Sequence, residues 1–345
     1  MQTISPQALK ALLLSDDELA LIDVREQGAY SEGHLLFATC VPLSRMELLI
    51  RDLVPRLDVH LVLVSGADED GLAERAAIRL GAFGYRNIAI LSGGTAGWRS
   101  AGFEVFSGIN VPSKAFGEFI EHRFDTPRLS ADEVKAMLDG GRDLVIVDSR
   151  PLEEYRRMNI PGATDMPGAE LAYRIHDLAP DPATFVVVNC AGRTRSIIGA
   201  QSLINAGIPN PVAALKDGTM GWHLAGYELE RGAAREAAPP GERGRQKALA
   251  AAAAVASRFG VQSATRAQVE RWLQESERST FLLDVRSPAE FAAGHVPGYR
   301  NAPGGQLVQA TDEYVGVRNA RLVLADDIGV RATMTASWLV QMGWS

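Results

Sequence analysis

One phrase occurs three times in this 345-residue chain and fixes the size of its folding units. Asp23-Val24-Arg25 is followed by Tyr30 and Gly33-His34. Asp148-Ser149-Arg150 is followed by Tyr155 and Ile160-Pro161-Gly162-Ala163, and Asp284-Val285-Arg286 by Phe291 and Gly294-His295-Val296-Pro297-Gly298. The first two copies also end alike, in Gly93-Gly94-Thr95-Ala96-Gly97-Trp98 and Asp217-Gly218-Thr219-Met220-Gly221-Trp222. Copies spaced this widely are whole domains rather than the roughly 20–50-residue modules of a solenoid. The expected organisation is therefore three tandem domains, at 1–107, 128–232 and 261–345, joined by linkers at 108–127 and 233–260.

Each copy opens with a helix-start signal: Ser5-Pro6, then Ser130 with Glu133, then Thr265 with Gln268. A hydroxyl that caps the first turn, with an acid or amide three residues on, satisfies otherwise orphaned N–H groups. Short apolar runs at 21–24, 144–148 and 281–285 follow without alternation, the pattern of strands covered on both faces. Further strands are expected at 61–64, 88–91, 185–189 and 212–215, separated by helical stretches. The fold class is α/β, each domain a mostly parallel sheet flanked by helices on both faces. The 107–127 and 231–245 stretches read as linkers, and the alanine-rich 246–259 run as a spacer helix. The third copy stops at Gly343-Trp344-Ser345, where the first two continue into another strand and a Gly-x-x-x-Trp closure. The expectation is a fragment of a longer protein, with further domains after residue 345.

A net charge of −7 argues against a nucleic-acid-binding surface, and no run is long and apolar enough to anchor the chain in a membrane. Two cysteines in a chain of this length make no disulfide framework, so a reducing, cytoplasmic setting is expected. The six histidines show no metal-ligand spacing, and neither metal nor cofactor is expected.

The two cysteines differ in their surroundings. Cys40 lies among apolar residues and reads as core filler. Cys190 ends a β-branched strand and opens the loop Cys190-Ala191-Gly192-Arg193-Thr194-Arg195-Ser196 before a helical pattern. A short loop that runs into a helix start turns its N–H groups inward and places the positive end of the helix nearby; both effects favour a thiolate. Arg193 and Arg195 are expected to offer guanidinium forks to an oxyanion, Thr194 to bind it or close the turn, and Gly192 to allow the tight backbone. Asp148 and Arg150 read as a structural ion pair beneath the loop, because the same pair persists as Asp23/Arg25 and Asp284/Arg286.

The Asp-x-Arg phrase with its aromatic residue and Gly-His-Val-Pro-Gly turn, the strand-Cys-loop-helix and the Gly-x-x-x-Trp ending together resemble the rhodanese-like family of sulfurtransferases. The resemblance implies sulfane sulfur taken from a small anionic donor such as thiosulfate, held as a persulfide on Cys190 and passed to cyanide, a thiol or a sulfur-carrier protein. It also implies that the N–H groups from Ala191 to Ser196 cradle the persulfide. The loop Cys-Ala-Gly-Arg-Thr-Arg matches neither the thiosulfate nor the 3-mercaptopyruvate pattern of two-domain members. Glu154 stands where those members often carry arginine. Alignment places Ser65 at the cysteine position of the first domain and Asp326 in the third. Neither carries sulfur, and the acids Asp68, Glu69, Asp70, Asp326 and Asp327 repel an anionic donor, so both domains are expected to be silent. Two alternatives stand beside this reading. One is a cysteine-dependent phosphatase or arsenate reductase, whose loop would need arginine at position 196, where Ser196 stands. The other is a non-catalytic scaffold with Cys190 as a redox or sulfur relay.

Overall fold

The computed structural model describes residues 2–67 and 71–345. Its helix starts follow the capping logic of the sequence. Ser5, Ser130 and Thr265 accept backbone N–H groups from Ala8, Glu133 and Gln268, and the last two close full capping boxes. Ser287 with Glu290 makes a further box of the same kind.

Strands β1 (Gln2–Ile4), β2 (Leu19–Asp23), β3 (Thr39–Cys40), β4 (His60–Val64) and β5 (Ile88–Leu91) form the first sheet, in the order β1-β5-β4-β2-β3. Strands β6 (Arg128–Leu129), β7 (Leu144–Asp148), β8 (Thr164–Asp165), β9 (Phe185–Asn189) and β10 (Val212–Leu215) repeat that order as β6-β10-β9-β7-β8. In the third unit β11 (Thr280–Asp284) lies between β12 (Arg300–Asn301) and β13 (Arg321–Ala325). Every strand pair among the described residues is parallel. Hence all carboxyl ends in a sheet point the same way, and that edge is where such sheets build their sites. The β7–β9 register sets Asp148 beside Asn189, one residue before Cys190.

All five residues of β2 are buried, as are four of five in β9, which explains why these runs lack alternation. The three units share one large apolar cluster that includes Ile50 and Leu63 of the first, Leu171 and Leu203 of the second and Leu307 and Trp338 of the third. Fully burying each such side chain stabilises the assembly by about 1.5–3 kcal/mol, so the units brace one another.

The segments expected as plain linkers are built into this core. Helix Val111–Phe124 turns Ser113, Gly117, Ile120 and Glu121 inward and packs on helix Thr194–Asn205. A Cβ on Gly117 would lie 3.0 Å from Thr194 Cγ2, so only a small residue allows this approach. Helix Glu242–Phe259, expected as a spacer, buries Ala248, Ala251, Ala252 and Val255 between helices Leu171–Leu178 and Val330–Gln341. That i, i+3, i+4, i+7 stripe is an interior face, and short alanine side chains let three helices meet closely. Among the described residues no helix is long and apolar enough to cross a membrane.

Candidate active site

The loop after β9 is held from below before any side chain points into it. Asp148 takes Arg150 in a two-pronged pair, Nε to Oδ1 and Nη2 to Oδ2, both at 2.8 Å, and the same guanidinium donates to Met158 O at 2.7 Å. Both residues are buried. Asp23/Arg25 and Asp284/Arg286 repeat the pair and reach Gly33 O and Gly294 O. The brace is thus common to the unit with a cysteine at the loop position and to those with Ser65 or Asp326 there. His34, Asn159 and His295 occupy one further shared position, each hydrogen-bonded through its ring or amide nitrogen to the carbonyl four residues back.

From the other side the loop is held by the Asp217-Gly218-Thr219 turn. Thr219 and Met220 donate their N–H groups to Cys190 O and Ala191 O, and Thr219 Oγ1 bridges Asn189 Nδ2 and Cys190 O. Gly218 has φ +54°, and a Cβ there would press onto Cys190 O and lie 2.7 Å from Gly192 O. The first unit repeats this brace: Thr95 and Ala96 donate to Ser65 O and Gly66 O. The shared ending in the sequence therefore fixes the backbone beneath the cysteine position.

Cys190 is buried, yet it joins none of the apolar clusters, whereas Cys40 packs against the core of the first unit. Burial and the nearby Asp23 push the Cys40 thiol up to about 12. Both thiols are free. The N–H groups of Ala191, Gly192, Arg193, Thr194, Arg195 and Ser196 find no acceptor among the described residues, while Ser196 Oγ donates to Arg193 O and tightens the turn.

What such a cradle holds is visible in the third unit. Its sequence runs 136 residues behind the second without a gap from Asp148/Asp284 through Cys190/Asp326 to Ser202/Trp338. There the Asp326 carboxylate accepts the N–H groups of Gly329, Arg331 at 2.7 Å and Ala332 at 3.3 Å. Their counterparts are Arg193, Arg195 and Ser196. That cradle is filled by its own carboxylate, whereas the equivalent N–H groups around Cys190 have no acceptor among the described residues. In the first unit Ser65 Oγ donates to Ala67 O. Asp68, Glu69 and Asp70 lie outside the described residues.

Arg193 and Arg195, both expected to offer guanidinium forks to an oxyanion, are each paired with carboxylates of the protein. Arg193 turns away to Glu118 and Glu121 on helix Val111–Phe124, and its contact with Glu121 holds the guanidinium pKa above the ordinary value. Arg195 stays at the site but is gripped two-pronged by Glu154, at 2.8 and 2.7 Å, and also donates to Gln306 Oε1 at 3.3 Å. Burial acts to lower its pKa, but the hydrogen bond and charge of Glu154, then the charges of Cys190 and Asp148, hold it up. Thr194 packs on Gly117 and lines, with Arg195, Ser149 and Gly168, a narrow cleft between the second and third units. Glu154, Glu118, Glu121 and Gln306 carry no catalytic motif of their own, and their partnership with the two arginines appears only in three dimensions. No group of three or more potential metal ligands is assembled among the described residues.

The rhodanese-like domain profile matches residues 5–101, 130–225 and 265–345. A thiosulfate sulfurtransferase structure from Pseudomonas aeruginosa is 53% identical and superposes with a TM-score of 0.98, covering 100% of this chain and 65% of that one. A thiosulfate sulfurtransferase of Azotobacter vinelandii is 26% identical over 231 residues, 56% of this chain and 83% of the relative. An HTH-type transcriptional regulator of Mycobacterium tuberculosis is 36% identical over 91 residues, 26% of this chain and 39% of the relative. The chain thus spans less than two thirds of that regulator and of the Pseudomonas protein. With three matched segments that coincide with the three repeated sheets, the chain belongs to the rhodanese-like domain family.

Proposed function

We propose that the chain is a sulfurtransferase in which Cys190 alone carries sulfur. The observation that supports this best is the open amide cradle at Cys190, set against its twin in the third unit, where the same N–H groups hold the Asp326 carboxylate. A backbone nest of this kind suits a persulfide anion, since it offers several donors at fixed positions and needs no reorganisation when charge arrives.

In the first half-reaction the Cys190 thiolate attacks the outer sulfur of thiosulfate. The S–S bond of the donor breaks, its electron pair leaves with sulfite, and Cys190 becomes a persulfide anion. In the second, a thiophile such as cyanide or a thiolate attacks the outer sulfur, and the electron pair of the Cys190 S–S bond returns to the thiolate. Charge balances in each step, and no external oxidant or reductant is required. Arg195 supplies positive charge beside the sulfur while Glu154 fixes its direction. Arg193 acts through its backbone N–H, its guanidinium being committed to helix Val111–Phe124. Asp148 and Arg150 hold the base of the loop. The first and third units are silent in transfer, and a sulfur-carrier protein is a reasonable macromolecular acceptor. A phosphatase reading fares worse, because Ser196 stands where its loop would need arginine.

Intact-mass analysis after incubation with thiosulfate tests this. A gain of one sulfur atom, lost on adding cyanide with release of thiocyanate and absent in Cys190→Ser, is expected. Hydrolysis of an aryl phosphate without any sulfur adduct would overturn the assignment.

A further inference from the structure

The second and third units meet through matching segments. Gly168, whose counterpart is Gly304, lies against Gly305, the counterpart of Ala169, with a Cβ on Gly168 3.3 Å from Gly305 Cα, and Trp338 Nε1 donates to Ser202 Oγ at 2.7 Å, these two residues being 136 apart. The arginine that follows each cysteine position by five residues is held by its own unit and by the neighbour. Arg195 takes Glu154 from its own unit and Gln306 from the third. Arg331 takes Glu290 from its own unit and Glu170 from the second. Glu154 corresponds to Glu290, and Gln306 corresponds to Glu170. The two sites are therefore reciprocal, but their charges differ. Arg331, wholly buried, faces four carboxylates: Glu170, Glu290, Asp326 and Asp327. Arg195 faces one carboxylate and a neutral amide.

We propose that Gln306, on the silent third unit, is a positioning residue of the Cys190 site that lets it accept an anionic donor: it steadies Arg195 with an uncharged amide, so the Arg195–Glu154 pair is not tipped to a net negative charge. A glutamate here would recreate the crowded acidic surroundings of Arg331 and set a net negative group against a dianion. The cleft that Arg195 and Thr194 line is closed on its other side by the third unit, through Gly304, Gln309 and Thr335. Thr335 Oγ1 and Gln309 Oε1 are buried there without a protein partner, so the third unit sets two unpaired polar atoms beside the cleft that Arg195 lines. This gives the third unit a part in the chemistry although it carries no sulfur itself. The inference rests on the sulfurtransferase reading.

Steady-state kinetics on the full chain with two donors separates the possibilities: thiosulfate, a dianion, and methanethiosulfonate, a monoanion whose outer sulfur is transferred with loss of methanesulfinate. Gln306→Glu is expected to raise the KM for thiosulfate about tenfold with kcat within about twofold, and to raise that for methanethiosulfonate only about threefold. Gln306→Lys is expected to lower the thiosulfate KM several-fold. Opposite movement in the two variants cannot arise from misfolding, which would impair both donors alike. Thiosulfate KM values that agree within twofold in wild type and both variants, or equal losses toward both donors, would overturn the role of Gln306. Failure of the wild type to form a Cys190 persulfide would instead sink the underlying reading.

Discussion

Gly218→Ala probes the link between the closing turn and the cysteine loop. An alanine at φ +54° costs about 1–2 kcal/mol for the left-handed backbone alone. Its Cβ would also press onto Cys190 O and lie within 2.9 Å of Gly192 N, and moving packed backbone aside adds about 1–3 kcal/mol. The total, about 2–5 kcal/mol, falls on the segment that shapes the cradle. Two controls divide it. Gly207→Ala has φ +68° with nothing near the new Cβ, so it should show only the backbone cost. Gly94→Ala has the same φ +54° and lies 2.6 Å from Ser65 O, so it should lose similar stability in a unit that carries no sulfur. Hydrogen exchange over the peptides that hold residues 190–196 and 65–67, read beside persulfide loading by intact mass, makes the comparison. The expected result is local loosening in Gly218→Ala and Gly94→Ala, with sulfur loading lost only in the former. If Gly218→Ala behaves like Gly207→Ala in both measurements, the closing turn does not shape the cradle.

Further outcomes follow from the charges and thiols. With its pKa pushed up to about 12, Cys40 should react slowly with iodoacetamide near neutral pH, and Cys40→Ser should keep sulfur loading intact; equal loss in Cys40→Ser and Cys190→Ser would contradict the division between them. For Glu154, burial works to raise its pKa, but Arg195 outweighs it and holds the carboxyl below the ordinary value of 4.5. Its contribution is therefore present above that value and is lost as pH falls through the lower folded one. Glu154→Gln should flatten the acid limb of the thiosulfate kcat/KM profile, and an unchanged limb would show that this pair does not govern it. Asp165 is raised to about 8 by burial and by the neighbouring charges of Asp148 and Glu236. The folded state then keeps a proton that the unfolded chain releases near 3.8, so this group lowers stability as pH rises from about 4 to 8. Asp165→Asn should remove that slope, since Asn301 at the matching place in the third unit donates to Asp284 O and Arg286 O. Parallel urea midpoints for wild type and variant across that pH range would refute the assignment.

The strands were readable because they obey a local rule: 88–91, 144–148, 185–189 and 212–215 are β-branched or apolar runs, and the observed β5, β7, β9 and β10 have those bounds. The helix starts were readable because a cap and its partner lie three residues apart. The joining segments were harder. Gly117 looks like a linker residue until Thr194 is seen lying against it, and Ser113 until its hydroxyl is seen donating to Gln309 O; the alanines of 248–255 suit a free helix as well as a buried one. Cys190 stood out through its loop, but the fates of Arg193 and Arg195 depend on Glu121, Glu154 and Gln306, which lie 72, 41 and 111 residues away. Sequence shows that a charge is present; only the fold shows what neutralises it.

The Trp338–Ser202 hydrogen bond joins matching places in two repeats. An indole opposite an indole would collide, and a hydroxyl opposite a hydroxyl would leave a void where 338 now fills space. The pair therefore works only as big against small, so a second copy of the Cys190 repeat cannot stand in for its neighbour. The two repeats fit as unlike halves of a lock, and two copies of either one would not recreate it.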